Sequence, residues 1–222
     1  MADRKTIFLF DVDNTLVDND HVIADLMHHL EHDIGQERQR HYWTIFEELR
    51  SQLGYADYLG ALQRYRIEHP RDFNILAVSS YLLEYPFANR LLPNSLDVVD
   101  RCQSLGETIL VTDGDVVFQP LKIRRSGLHE AFEGKVLIYI HREMELDDIT
   151  SRYPADHYVF IDDKVRILSA IKKAWGSRVT TIFPRQGHYA MDEAEVAKYP
   201  KPDFTIERIG MLMDTDLPAM IK

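Results

Sequence analysis

Ile7-Phe8-Leu9-Phe10 is an unbroken apolar run that stops at Asp11-Val12-Asp13-Asn14-Thr15. Four consecutive apolar side chains leave no face of a strand for solvent. The run therefore predicts a strand buried on both sides, with a polar loop at its C-terminal end.

Two periodicities follow it. From about Asp20 to Tyr85 the apolar residues recur at helical spacing: Val22, Ile23, Leu26 and Leu30, then Tyr42, Ile45, Phe46, Leu49 and Leu53, then Leu59, Leu62 and Tyr65. Gly35, Gly54 and Pro70 punctuate the stripes, which predicts a bundle of three or four helices. After Pro93 helices and strands alternate: helix 94–105, strand 108–112, helix 119–126, strand 136–140, helix 146–152, strand 158–161, helix 166–175, strand 179–183, then a helical tail. Strands separated by helices make a parallel sheet. The predicted fold class is α/β, a Rossmann-like doubly wound parallel sheet core (residues 1–17 and 90–222) with an inserted α-helical cap (18–89). Because the insertion opens directly after the Asp11 loop, it is expected to hang over the C-terminal edge of the sheet, where open α/β folds bind ligands.

Charge narrows the partners. Lys and Arg number 26 against 36 Asp and Glu, a formal net charge of -10, and such a field repels phosphate backbones and acidic membrane surfaces. A small molecule is the expected partner, with neither nucleic acid nor a membrane. No apolar run approaches the roughly 18 residues that span a bilayer, and the N-terminus has no secretory-signal pattern, so a cytoplasmic location is expected. The single cysteine, Cys102, falls in the helical pattern Leu96, Val99, Cys102 and reads as a small buried side chain rather than a nucleophile. There is no Gly-rich phosphate loop of either common spacing, so phosphate chemistry here needs another device.

The strand ends supply one. Read at their C-terminal ends, the five strands finish at Asp11 and Asp13, at Thr112-Asp113-Gly114, at His141-Arg142, at Asp162-Asp163-Lys164 and at Arg185. Any one of these residues is an ordinary turn or cap residue. Together they converge on one crevice, and like charges about 4 Å apart repel by roughly 4 kcal/mol per pair at an effective dielectric of about 20. Asp11, Asp13, Asp162 and Asp163 therefore call for a cation. An all-oxygen ligand set favours a hard ion, of which Mg²⁺ is the usual one.

Asp11-Val12-Asp13-Asn14-Thr15, Val111-Thr112-Asp113-Gly114 and Phe160-Ile161-Asp162-Asp163 resemble motifs I, II and IV of the haloacid dehalogenase-like hydrolases, and the helical insertion resembles the cap that many members carry after motif I. The resemblance implies a Mg²⁺-dependent phosphatase in which Asp11 attacks phosphorus to form an aspartyl-phosphate. It implies that Asp13 protonates the leaving oxygen and later deprotonates water. Asp11, the backbone carbonyl of Asp13, and Asp163 with Asp162 beside it would hold the metal. Thr112 and the Asp113 amide would bind a phosphoryl oxygen. An acid at position 13 disfavours dehalogenation, which needs no leaving-group acid. A cap without lysine disfavours Schiff-base cleavage of phosphonates. A low-turnover phosphate-binding or regulatory member, a mutase and a dehalogenase remain alternatives.

The motif III cation departs from the family pattern. Lys135 sits where the third strand begins, about 17 Å along the strand from the active edge at 3.3 Å per residue. Arg142 is therefore the expected substitute, in a catalytic and substrate-binding role, with His141 the weaker neighbour. Lys164 either adds charge or faces solvent.

Other candidates read more plainly. Asp25, His28, His29 and His32 share the first inserted helix, with His28 and His32 at the spacing of a metal pair, but exposed histidines on a solvated face are common. Six arginines of the insertion (Arg38, Arg40, Arg50, Arg64, Arg66, Arg71) face twelve acids and no lysine. They are expected to be paired surface residues, one of which could read a substrate carboxylate or second phosphate. Tyr42 and Trp43 are expected in the bundle core, and Arg185-Gln186-Gly187-His188 as a plain loop.

Overall fold

The computed structural model describes residues 5–221. In chain order these form β1 (Thr6–Phe10), α1 (Asn19–Ile34), α2 (Gln36–Leu53), α3 (Tyr58–Glu68), α4 (Ile75–Glu84), α5 (Ser95–Gln103), β2 (Glu107–Asp113), α6 (Phe118–Arg125) and α7 (Leu128–Ala131). There follow β3 (Val136–Tyr139), α8 (Leu146–Arg152), β4 (His157–Ile161), α9 (Val165–Trp175), β5 (Val179–Pro184), α10 (Gly187–Met191), α11 (Glu193–Val196), β6 (Phe204–Ile206) and α12 (Leu217–Met220). All strand pairs are parallel, in the order β3-β2-β1-β4-β5-β6.

The alternation of a pleated strand sorts β1 onto the two faces of the sheet. Phe8 and Phe10 pack with Val99, Cys102 and Leu110 on one face. Ile7 and Leu9 pack with Val111, Phe160 and Leu168 on the other. All five residues of β4 and all six of β5 are buried, which is why the apolar run of β4 carries no alternation.

The four helices α1 to α4 bury their stripes in an apolar cluster of their own, with Leu26, Phe46, Tyr65 and Leu82 among its members. Two glycines shape the bundle. Gly35, at φ +84°, turns the chain between α1 and α2, and Gly54, at φ +80°, ends α2 in the left-handed conformation that a side chain resists. Gly54 also meets the rest of the fold closely: a Cβ placed there would lie 2.2 Å from Cε1 of His141. The bundle's cluster is completed by Phe118 from α6, whose ring lies 5.0 Å from that of Tyr58 and 5.5 Å from that of Phe87.

Two readings change at the C-terminal end. The expected helical tail contains a sixth strand, β6, paired with β5 through Ile182↔Phe204, Phe183↔Thr205 and Pro184↔Ile206. Only Ile206 of its three residues is buried, so no apolar run announces it, and the helices around it are only four or five residues long. The segment after β5, expected as a plain loop, turns into α10. Gln186 anchors it, donating to the backbone oxygens of Asn14 and Thr15 at 2.9 and 2.8 Å. Among the described residues no helix is long and apolar enough to cross a membrane.

Cys102 is fully buried on α5, and burial pushes its thiol up to about 12. The thiol is therefore neutral and unreactive at pH 8. A chromogenic disulfide reagent at that pH should leave the native protein unlabelled and titrate one thiol per chain after denaturation, read by absorbance.

Candidate active site

The strands β2, β1 and β4 are neighbours, so their C-terminal ends deliver Asp113, Asp11 and Asp162-Asp163 to one edge. Asp11 is 1% exposed, and Asp162 and Asp163 are fully buried. A carboxylate oxygen from each of these three lies within 4.8 Å of the others.

The charge in this cluster is shared unevenly. Arg142, 1% exposed, donates from Nε and Nη2 to Asp162 Oδ2 at 3.1 and 2.6 Å and from Nη1 to Asp113 Oδ2 at 2.7 Å. Its Nη2 forms an ion pair with Asp11 Oδ2 at 3.2 Å, and its backbone N–H donates to Asp113 Oδ1 at 2.8 Å. Asp162 Oδ1 accepts from the Lys164 backbone N–H at 2.8 Å. Asp162 is thus engaged through both oxygens. Asp11 and Asp163 are not: none of their four carboxylate oxygens, all buried, has a hydrogen-bond partner.

The electrostatics reflect that. Burial raises Asp11 to about 6; the Arg142 guanidinium opposes the rise and the Asp162 carboxylate adds to it. Burial likewise pushes Asp163 well above the usual carboxylate range, against the pull of Lys164. Burial alone would ease the proton off Arg142, but Asp11, Asp162 and Asp113 around it hold the guanidinium firmly charged.

Asp13 stands apart from the cluster and faces the cavity. Its side chain is 23% exposed, and Oδ1 accepts from Lys122 Nζ at 2.6 Å. Lys122, 1% exposed on α6, also donates to Asn19 Oδ1 at 2.9 Å. Sequence reasoning missed Lys122. Its signal was present, because Phe118 and Lys122 lie four residues apart on one helix face, next to buried Ile123. Asn14, at φ +57°, accepts through Oδ1 from the N–H groups of Asn19 and Asp20 at 3.0 and 3.1 Å and so fixes the loop after β1. Thr15 Oγ1 accepts from the Asp163 N–H at 3.1 Å. Thr112 is buried, and its Oγ1 accepts from Gln119 Nε2 at 3.1 Å.

Lys135 lies at the opposite edge of the sheet, paired with Glu133 at 2.8 Å and Glu107 at 3.4 Å. On the first inserted helix, Asp25 is engaged by Tyr85 and Arg90, His29 stacks on Tyr81, and His32 binds Asp33 at 2.8 Å. None of these belongs to a metal-capable cluster of the described residues; apart from the aspartates, the one such group is His41, Glu68 and His69.

A cavity of about 350 Å³ lies between the sheet edge and the inserted helices, bounded by Asp13, Asp113 and Lys122 below and by Trp43, Phe46 and Tyr58 above. Trp43, expected in the bundle core, lines it, whereas Tyr42 is buried in that core. His188 and Tyr189 of α10 line it as well, and His188 Nδ1 meets Asp20 Oδ1 at 2.6 Å. A larger open groove on α2 holds none of the strand-end aspartates.

A parallel sheet in this order, with a carboxylate at the end of β1 and two more at the end of β4, is a Rossmann-like α/β fold with its acidic site at the C-terminal edge of the strands. The family model for haloacid dehalogenase-like hydrolases matches residues 5–175, and the chain belongs to that family. No curated protein matches. Among solved structures, a haloacid dehalogenase-like hydrolase from Burkholderia xenovorans LB400 is 57% identical, with a TM-score of 0.92 over 96% of this chain and 99% of that one. The HAD-hydrolase YfnB from Bacillus subtilis, described as bound to magnesium, is 17% identical with a TM-score of 0.65, covering 95% and 98% of the two chains. The L-2-haloacid dehalogenase PA0810 is 13% identical with a TM-score of 0.61, covering 95% and 99%. At these identities the last two share the fold.

Removing one member of a buried ion cluster leaves the rest uncompensated, at a cost of about 3–5 kcal/mol. Arg142→Ala should lower the free energy of unfolding by about that much, whereas Lys135→Ala, at a solvated edge, should cost less than about 1 kcal/mol. Urea denaturation of the two variants measures the contrast.

Proposed function

We propose that the protein is a Mg²⁺-dependent phosphatase that hydrolyses a small organic phosphomonoester through an aspartyl-phosphate on Asp11. The observation that carries this reading is the set of four buried oxygens on Asp11 and Asp163 that accept no hydrogen bond, only one of which, Asp11 Oδ2, has an ion-pair contact. Buried carboxylates are ordinarily paired or bound to a metal, and Arg142 is already committed to Asp162 and Asp113. Oxygen donors alone suit a hard divalent cation. Asp11, Asp163 and the backbone carbonyl of Asp13 would hold it, with Asp162 fixed beside them by Arg142. Bound there, Mg²⁺ offsets the repulsion between the Asp11 carboxylate and a phosphate dianion. That YfnB, of the same fold, is described as bound to magnesium agrees with this.

The remaining work falls to the chain's own groups. Asp11 Oδ attacks phosphorus as the ester P–O bond breaks, and Asp13 gives the departing alkoxide its proton. Lys122 grips one oxygen of Asp13, which leaves the other turned to the reacting atoms. Asp13 then takes a proton from the water that cleaves the aspartyl-phosphate, releasing phosphate and restoring Asp11. Thr112 and the Asp113 amide supply donors for the phosphoryl oxygens, while Arg142 holds the aspartates beneath them. Solved structures named as dehalogenases share the fold, but halide displacement has no use for the acid at position 13.

Purified protein should hydrolyse para-nitrophenyl phosphate with Mg²⁺, lose that activity in EDTA and regain it on adding Mg²⁺ back. Ca²⁺ should inhibit, because its larger coordination shell of 6 to 8 oxygens engages both oxygens of the nucleophile. Asp11→Asn should remove turnover while leaving the circular dichroism spectrum unchanged, and Asp13→Asn should slow turnover and let phosphoenzyme accumulate, read by intact-protein mass. Full activity in excess chelator, or chloride release from 2-chloropropionate in place of phosphate release, would reject the reading.

A further inference from the structure

Several cations line the cavity above its acidic floor. Two of its cations are engaged: Lys122 with Asp13 and Asn19, and Arg166 with Glu143 at 2.5 Å. Two others stand differently. Lys164, directly before α9, makes no hydrogen bond or ion pair through its ammonium group among the described residues, and its Nζ lies 5.0 Å from the centre of the Tyr189 ring. Arg50 reaches the same ring from the inserted helix α2, with Cζ 5.4 Å from its centre. The ion-pair partner of Arg50 is Glu47, one turn earlier on its own helix, at 3.4 Å and 61% exposed.

Two like charges gathered on one aromatic ring repel each other, and the ring's negative face offsets only part of that. Lys164 is near enough to Asp11, Asp113 and Asp163 to pull on their carboxylates, but its ammonium group forms an ion pair with none of them among the described residues. An anion from outside completes the arrangement. We propose that Arg50, Lys164 and Tyr189 form a second anion subsite, so that the substrate is a small phosphomonoester bearing a carboxylate or a second phosphate on a short carbon chain. The volume agrees, since about 350 Å³ is near the lower end of the roughly 300–1,000 Å³ typical of small-molecule sites. Trp43, Phe46 and Ile23 offer the chain an apolar wall, and a planar guanidinium suits a carboxylate or phosphate through two parallel hydrogen bonds.

This inference rests on the phosphatase reading of the same cavity, and the test separates the two. Steady-state kinetics with Mg²⁺ compare ethyl phosphate with 2-phosphoglycolate, which differs by an anionic carboxylate, and with 1,3-propanediol bisphosphate, which carries a second phosphate. The anionic esters should be favoured in kcat/KM by about ten-fold or more, mostly through KM, and the better of the two identifies the second group. Arg50→Met should collapse that preference, Arg50→Lys should restore part of it, and Arg64→Met, a loss of charge on the exposed face of α3, should leave the ratio as it was. Equal kcat/KM for neutral and anionic esters, or a preference that survives Arg50→Met, overturns the subsite. If no ester is hydrolysed the phosphatase reading fails on its own. Calorimetric titration of the Mg²⁺-loaded protein with 2-phosphoglycolate and ethyl phosphate then decides the subsite: tighter binding of the anionic ester that is lost in Arg50→Met supports it, and equal or absent binding rejects it.

Discussion

Parallel strands that end side by side in aspartates repel one another, and the Arg142 guanidinium is what permits β1, β2 and β4 to do so. It touches Asp11, Asp113 and Asp162 from within the protein, and its planar fork reaches all three without water. Everything at this edge is placed relative to that contact. Asp162 is immobilised, which fixes Asp163 beside it, and Asp11 is held near but not bound. The guanidinium directs its hydrogen bonds to the neighbours of Asp11 and meets Asp11 itself as an ion pair.

The same arrangement divides neutralisation between two cations of different reach. Arg142 lies beneath the strand ends, while Lys122 approaches from α6 and closes on Asp13. Asp11 and Asp13 therefore answer to separate partners.

How much of this was legible depended on run length and on period. The apolar stretches of β1, β4 and β5 are long enough to declare buried strands, and their ends placed Asp11, Asp162 and Asp163 in one crevice before any coordinates. Strand direction placed Arg142 and Lys135 at opposite edges, as the structure has them. The three residues of β6 are too few, and too exposed, to show a period at all. Lys122 was missed for another reason: a charged residue on a helix normally signals the solvated face, which outweighed its place on the same face as Phe118. The short helix α10 escaped notice because its seat on the loop after β1 is made by Gln186 through a contact spanning more than 170 positions.

Helix α6 belongs by sequence to the α/β core, yet it packs in two places. Phe118 at its first turn fills the apolar interior of the inserted bundle, between Tyr58 and Phe87, while Lys122 one turn later holds Asp13. The chain boundary of the insertion is therefore not its packing boundary. An excision that joined the loop after β1 directly to α5 would leave an aromatic ring bare on the remaining sheet layer. A foreign bundle grafted there would need a socket for that ring. The insertion and the core are thus matched parts, and exchange of such bundles between relatives is restricted to those whose α6 begins with a compatible side chain.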